Sequence, residues 1–213
     1  MHITSALSAE AFLKLYGSPG KLVLEVGGRN IGESDKGTLQ PVTEKYGMKY
    51  ICLDMEPAPS VTLVCQPGEK FPLHDASVDM IISTSCFEHD SCFWMTFREM
   101  TRVLKKDGYI YVNAPANGPY HGYPGDCWRF YGDAADALSH WSGRMLEGAR
   151  YPVKTVETFH ILPHQDVWID FVGVWQRVDE PVTVLVNKEA RQKEGMLAFY
   201  LRSMDNLQIL RMN

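Results

Sequence analysis

Five short apolar runs, each stopped by a turn residue or an acid, constrain this chain more than any other feature. The first, Lys21-Leu22-Val23-Leu24-Glu25-Val26, runs straight into Gly27-Gly28. The others cover residues 50–54, 61–64, 78–82 and 109–112. Runs this short and this continuous suit strands buried on both faces of a parallel sheet. Helical periodicity separates them. Residues 92–104 place Phe93, Phe97, Met100 and Leu104 on one face, with Lys105 and Lys106 at the end, where the helix dipole favours cations. Alternating strands and helices predict an α/β fold, Rossmann-like, with helices on both faces of a mostly parallel sheet.

The remaining elements fit the same plan. Ser8 is read as the cap of a short helix bearing Phe12, Leu15 and Tyr16, and Gly17-Ser18-Pro19-Gly20 ends it. Residues 39–46 are read as a helix, and Asp133 as the cap of another reaching Trp141. Asp107-Gly108 is read as a break before the fifth strand. A Gly/Pro-rich loop spans residues 114–125. Residues 155–161 and 168–175 read as two strands with no helix between them, hence an antiparallel pair at an edge. The pattern changes after residue 180. Residues 1–180 are read as one domain and 181–213 as an extension, with a strand at 182–186 and an amphipathic helix at 189–204 bearing Met196, Phe199, Tyr200 and Met204. A cap packed on the domain is preferred for this helix over a homo-oligomer contact.

Composition narrows the function. A formal net charge of −5 on 213 residues argues against a general nucleic-acid or membrane-surface binder. No stretch approaches a membrane span, and residues 1–10 lack the basic and apolar regions of a signal peptide. A soluble, cytoplasmic protein is expected, with no nucleic-acid or membrane partner. Cys52, Cys65, Cys86, Cys92 and Cys127 are odd in number, and no two sit at CxxC spacing. Neither disulfides nor a zinc site is expected from them. His160 and His164 have Pro163 between them, which argues against a helical metal pair, and no metal is assigned. His74 and His140 receive no role.

In an open α/β sheet, ligands bind beyond the carboxyl ends of the strands. There the first strand ends in Gly27-Gly28-Arg29-Asn30-Ile31-Gly32, where Gly27, Arg29 and Gly32 occupy the positions of a GxGxxG loop with Arg in the middle. Asp54 ends the second strand, where an acid accepts hydrogen bonds from ribose hydroxyls. These features fit a nicotinamide dinucleotide and S-adenosylmethionine alike.

The middle of the chain distinguishes them. Phe71-Pro72-Leu73-His74-Asp75-Ala76-Ser77-Val78-Asp79 resembles the "LPFPDxSFD" run of type 11 methyltransferases. Phe87-Glu88-His89 looks like their "LEH" element, and Arg98-Glu99-Met100-Thr101-Arg102-Val103-Leu104-Lys105-Lys106-Asp107-Gly108 resembles "REMARVLKPGG". The resemblance covers about residues 20–140. It implies the class I methyltransferase fold, a seven-stranded sheet with an antiparallel last strand, and S-adenosylmethionine as cofactor. A narrower resemblance, through Gly27-Gly28-Arg29-Asn30-Ile31 and through residues 115–131 with Asp126-Cys127-Trp128-Arg129-Phe130, is to a branch found among sugar- and cell-surface-modifying methyltransferases. The chain departs from that branch at Cys127, where Tyr is usual, and at Tyr131-Gly132, where Thr-Pro is usual.

The resemblance implies a set of roles. Glu25, Gly27, Gly28 and their neighbours would contact the methionine part of the cofactor, Asp54 the ribose and Met55 the adenine. Glu69 or Gln66 would lie near the adenine amino group, and Ser83 to Ser85 would line the methyl site. Arg29 would pair either with the cofactor carboxylate or with an acid such as Glu25 or Asp35. Histidine suits a general base near neutral pH, which makes His89 and His121 the catalytic candidates. Asp126 and Arg129 would bind a polar acceptor with Trp128 stacked on a sugar face, or form an internal pair over a buried tryptophan. The expected reaction is methyl transfer to a small polar acceptor, a sugar or glycan precursor leading. An NAD(P)-dependent oxidoreductase and a non-catalytic protein that keeps the fold are the alternatives.

Overall fold

The computed structural model describes residues 3–29, 38–144, 148–163, 168–181, 193–204 and 207–210. Among these the strands are β1 (Leu22–Val26), β2 (Lys49–Asp54), β3 (Leu63–Val64), β4 (Val78–Thr84), β5 (Leu104–Pro115), β6 (Val153–Pro163), β7 (Asp170–Arg177) and β8 (Leu207–Leu210). The helices are α1 (Ile3–Tyr16), α2 (Gln40–Lys45), α3 (Phe93–Val103), α4 (Asp133–Ser142) and α5 (Met196–Arg202). The strands form one sheet in the order β3-β2-β1-β4-β5-β7-β6-β8.

β1 to β5 pair in parallel, and β7 runs antiparallel to both β5 and β6. This is the expected Rossmann-like class I methyltransferase order, with β8 added beyond the seven strands expected. β8 pairs antiparallel with the end of β6, so among the described residues the edge of the sheet is β8 and not the β6–β7 pair.

The apolar runs alternate between two layers. Leu24, Ile81, Ile110 and Val112 face a core closed by Phe97, Met100 and Val103 of α3 and by Ala135 and Leu138 of α4. Val23, Met80, Ile82 and Tyr111 face the opposite core, closed by Phe12 and Leu13 of α1 and by Leu197 and Leu201 of α5. Both faces of the central strands are therefore buried, which explains their continuous apolar character.

Four local readings change. α1 begins at Ile3, so Ser8 sits inside the helix. Ser8 is buried and its hydroxyl lies 2.6 Å from that of Tyr111. β5 begins directly after α3, because Asp107 adopts φ +62° and the register shifts between Val78 and Met80; Asp107-Gly108 is absorbed in an irregularity of the strand and does not precede it. The third strand is only Leu63–Val64. Gly132 occupies the cap position of α4, and Asp133 lies in its first turn.

The strand expected at 182–186 and the start of the helix expected at 189–204 lie outside the described residues. Of that helix's described part, Lys193 forms a β-bridge to Thr158 and Glu194 and Gly195 are not helical, so the helix is only α5, which packs on α1. The buried carboxylate of Glu157 in β6 accepts from the backbone N–H groups of Gly195, Leu197 and Ala198 at 2.9, 2.9 and 3.0 Å, and from the Tyr16 hydroxyl. One acid thus satisfies the otherwise unpaired amides that start α5.

A second clamp holds the segment before β4. The Arg102 side chain, 6% exposed, donates to Asp75 at 2.7 Å, to the carbonyls of Phe71 and Leu73 at 3.0 and 2.9 Å, and to Glu99. Glu99 in turn accepts from Phe71 N–H at 2.8 Å. Asp79 ties three strands by accepting from Leu22 N–H and from Lys21 and Lys105. No helix among the described residues is long and apolar enough to cross a membrane.

Candidate functional site

Strand order reverses between β1 and β4, and the crevice at such a switch point is where an open α/β sheet binds ligands. A cleft of about 790 Å³ opens there. Its border is built from the carboxyl ends of β1, β2, β4 and β5 and from the start of β7.

Gly27 makes the cleft passable. Its φ is +78°, and a Cβ would meet the Cys86 Sγ at 2.4 Å. Glycine alone fits both demands. Ser85 also lines the cleft with φ +49°, a conformation that non-glycine residues adopt rarely and mostly under tertiary constraint. Gly28 does not line the cleft; a Cβ there would meet Glu25 and Cys52. Ser83 is fully buried within β4 and also lies outside the lining.

Two acids stand at the ends of the first two strands. Asp54 is half-buried; it accepts from Arg29 N–H at 3.0 Å and from Glu56 N–H at 3.2 Å, and burial raises its pKa. Glu25 lines the cleft, but its Oε2 accepts from the Tyr50 hydroxyl at 2.5 Å and from Leu39 N–H at 2.9 Å. Burial pushes this carboxyl up to about 7. The guanidinium of Arg29 pairs with Glu56, a partner the sequence did not suggest, and Glu25 is committed elsewhere. Asn30, Ile31, Gly32 and Asp35 lie outside the described residues.

Met55, Leu53, Phe71 and Cys65 add apolar wall beyond Asp54. Of the two adenine candidates, Gln66 lines the cleft and donates to the Met55 carbonyl at 2.8 Å. Glu69 turns back to Gln66 N–H at 3.3 Å and does not line it.

The other end of the cleft is polar and aromatic. His89 and His121 both line it, with ring centroids 5.0 Å apart. The His89 Nδ1–H donates to the Gly125 carbonyl at 2.6 Å, which fixes the proton on Nδ1 and leaves Nε2 as the acceptor. Burial lowers the pKa of His89. Glu88 lines the same end, 1% exposed, and its Oε2 has no hydrogen-bond partner among the described residues. Burial pushes its carboxyl up to about 8, and the charge of Asp170, another buried wall residue, adds to the effect. Tyr123 and Trp168 complete this end.

Asp126, Trp128 and Arg129 do not line the cleft. Arg129 pairs with Asp126 through both guanidinium nitrogens, at 2.5 and 2.7 Å, and this pair holds the Asp126 carboxyl well below its usual range. The Trp128 indole donates to the Asp90 carbonyl at 2.8 Å and packs edge-on against Phe93 and Trp94. Cys127 N–H donates to the Glu88 carbonyl at 2.7 Å. The segment thus fastens the loop to the turn that carries Glu88 and His89. Sequence reasoning missed Glu88, Asp170, Tyr123 and Trp168. Only Glu88 carried a signal, its place beside His89 in the "LEH"-like element.

Comparison with known proteins agrees with this architecture. A family model described as a methyltransferase domain matches residues 34–112. An uncharacterized methyltransferase of Mycobacterium bovis (strain BCG / Pasteur 1173P2) is 27% identical over 162 residues, which cover 70% of this chain and 57% of the relative. The chain therefore spans just over half the length of that relative. Among solved structures, the Burkholderia thailandensis 1,6-didemethyltoxoflavin-N1-methyltransferase, with bound 1,6-didemethyltoxoflavin and S-adenosylhomocysteine, superposes with a TM-score of 0.59 at 13% identity, covering 83% of this chain and 78% of that one. A SAM-dependent methyltransferase from Aquifex aeolicus gives 0.56 at 18% identity, covering 82% and 93%. At these identities the structural likeness establishes the fold.

Proposed function

We propose that this chain is an S-adenosylmethionine-dependent methyltransferase acting on a small polar acceptor. The observation that carries the reading is the meeting of Gly27 and Asp54 at the switch-point cleft, within a chain whose residues 34–112 match a methyltransferase domain. The residues present fit the cofactor. Gly27 leaves room for close backbone approach, Asp54 offers a carboxylate for ribose hydroxyls, and Leu53, Met55 and Phe71 offer an apolar wall for adenine. Gln66 replaces Glu69 as the residue at the adenine end. When bound, the cofactor supplies an activated methyl group on a sulfonium sulfur, so the protein's part is chiefly to orient and desolvate the acceptor.

The acceptor would lie between His89, His121, Tyr123 and Trp168. Aromatic faces beside buried carboxylates suit a hydroxylated ring, and a sugar or glycan precursor is the acceptor class we favour. The Nδ1 proton leaves His89 Nε2 as an acceptor and burial lowers the pKa of the ring, as a general base for an acceptor hydroxyl requires.

Calorimetry with S-adenosylhomocysteine and NAD tests the cofactor. Binding of S-adenosylhomocysteine is expected, weakened about 30-fold in Asp54→Ala through loss of charge-assisted hydrogen bonds worth about 2 kcal/mol. Binding of NAD alone would favour the oxidoreductase, and binding of neither a non-catalytic role.

A further inference from the structure

We infer that Glu88, His89 and His121 form a binding site for one divalent transition-metal ion of the zinc class at the acceptor end of the cleft. The site departs from the metal-free expectation of the sequence, because the loop after β5 brings His121 onto the turn after β4 only in three dimensions.

Three observations carry it. The donor atoms of the three side chains all lie within 4.8 Å of one another, with Glu88 Oε1 3.7 Å from His89 Nε2. Metal–ligand bonds of about 2.0–2.2 Å in a tetrahedral site place ligand atoms about 3.4 Å apart, so the first pair is close to bonding geometry. His121, 37% exposed at its side chain, has room to close the remaining gap of up to about 1.4 Å.

The second observation is a buried carboxyl oxygen without a partner. Glu88 is 99% buried by its exposure of 1%, and its Oε2 finds no partner among the described residues. A buried carboxylate without a partner is costly unless it meets a cation or takes up a proton.

The third is the support behind the ligands. The His89 Nδ1–H bond to the Gly125 carbonyl turns Nε2 toward Glu88. Asp126 Oδ2 lies 3.2 Å from His121 Nδ1, at ion-pair distance though without hydrogen-bond alignment, and accepts from His121 N–H at 2.8 Å. Metal-binding histidines commonly have such a carbonyl or carboxylate behind them.

Two imidazoles and one carboxylate select zinc-class ions over magnesium or calcium, which prefer oxygen ligands throughout. Three protein ligands leave a fourth position open to the cleft. The ion site stands on these residues alone. Its use, taking an acceptor oxygen as the fourth ligand and favouring loss of that hydroxyl's proton in place of the His89 base, whose Nε2 the ion would occupy, rests on the methyltransferase reading.

Cobalt(II) is the probe, because its visible absorption reports coordination directly. The untagged full chain, freed of metal, is titrated with cobalt and then with zinc. One equivalent of cobalt should produce a visible band that zinc removes. Glu88→Gln, His89→Ala and His121→Ala should each weaken binding more than about 100-fold, and Asp126→Asn about 10-fold. His74→Ala and His140→Ala should leave it unchanged. Circular dichroism and S-adenosylhomocysteine binding show that each variant is folded. No band, or a band that survives in all three ligand variants, overturns the site. If S-adenosylhomocysteine binds and cobalt does not, the ion site fails alone; cobalt binding without S-adenosylhomocysteine sinks the cofactor reading alone.

Discussion

The guanidinium of Arg102 reaches the carboxylate of Asp75 at 2.7 Å across the gap between α3 and the turn before β4. The same guanidinium holds two carbonyls of that turn, and Glu99 holds its Phe71 amide. Phe71 is part of the cleft wall. The segment that most resembles type 11 methyltransferases is therefore a brace for the cleft, and its charged residues make contact with one another. We expect Arg102→Met to cost about 3 kcal/mol, because Glu99 and two carbonyls lose their partner. Urea denaturation measures this. A loss under about 1 kcal/mol would show that water replaces the guanidinium.

Glu25 gives the fold a pH dependence of definite sign. Its carboxyl rises from an ordinary 4.5 to about 7 in the folded chain. Between those values the unfolded chain has released the proton and the folded chain still holds it. The folded state then binds more protons, so stability falls as pH rises from about 4.5 to 7 and levels off above. The loss is about 3 kcal/mol. Glu88 contributes a slope of the same sign, reaching to about 8. Glu25→Gln should reduce the slope between about 4.5 and 7, where both acids contribute, and leave the Glu88 contribution, which continues to about 8. Equal slopes in urea denaturation at pH 4.5 and 7.5 for the two proteins would refute the assignment.

Gly27 is under two separate demands, its φ of +78° and its contact with Cys86. Gly27→Ala should destabilise the chain by about 1–3 kcal/mol and remove detectable S-adenosylhomocysteine binding. Adding Cys86→Ala relieves the contact but not the backbone strain. The double variant should therefore recover stability only in part, as read by thermal unfolding. Full recovery would assign the whole effect to the contact.

Glu157 answers three amides and a tyrosine hydroxyl at the start of α5. Glu157→Ala should cost about 2–3 kcal/mol and speed amide exchange in α5 and β8 ahead of β4 and β5. Uniform acceleration across the sheet would mean that the tail opens only with the whole domain.

What the sequence made legible follows from where burial is two-sided. β1 and β4 could be read because Val23 and Leu24, or Ile81 and Ile82, face two cores at once. β8 escaped because its four residues alternate in burial, with Gln208 exposed and Leu210 half-buried, too short a pattern to register. β5 was clipped because Asp107-Gly108 spells a break in sequence, whereas a strand irregularity accommodates it. In the site, the residues set by strand ends, Glu25, Gly27 and Asp54, were legible. Asp126 and Arg129 could be read as acceptor ligands or as an internal pair, because the two have the same spelling, and the structure shows the pair. Glu88 was hidden for the opposite reason, since only the docking of the loop through Gly125 and Cys127 shows that its carboxylate is sealed from water.

The pairing of β8 with β6 has a consequence for how copies of this chain behave toward each other. β6 has eleven residues, and without β8 its far end would present unpaired N–H and C=O groups as a template for another chain. β8 occupies the ladder from His160 to Pro163, and Lys193 bridges to Thr158 just before it. The tail replaces a long adhesive edge with a four-residue one. Shortening the chain before residue 193 would therefore favour strand-to-strand aggregation, even of molecules whose cleft is intact.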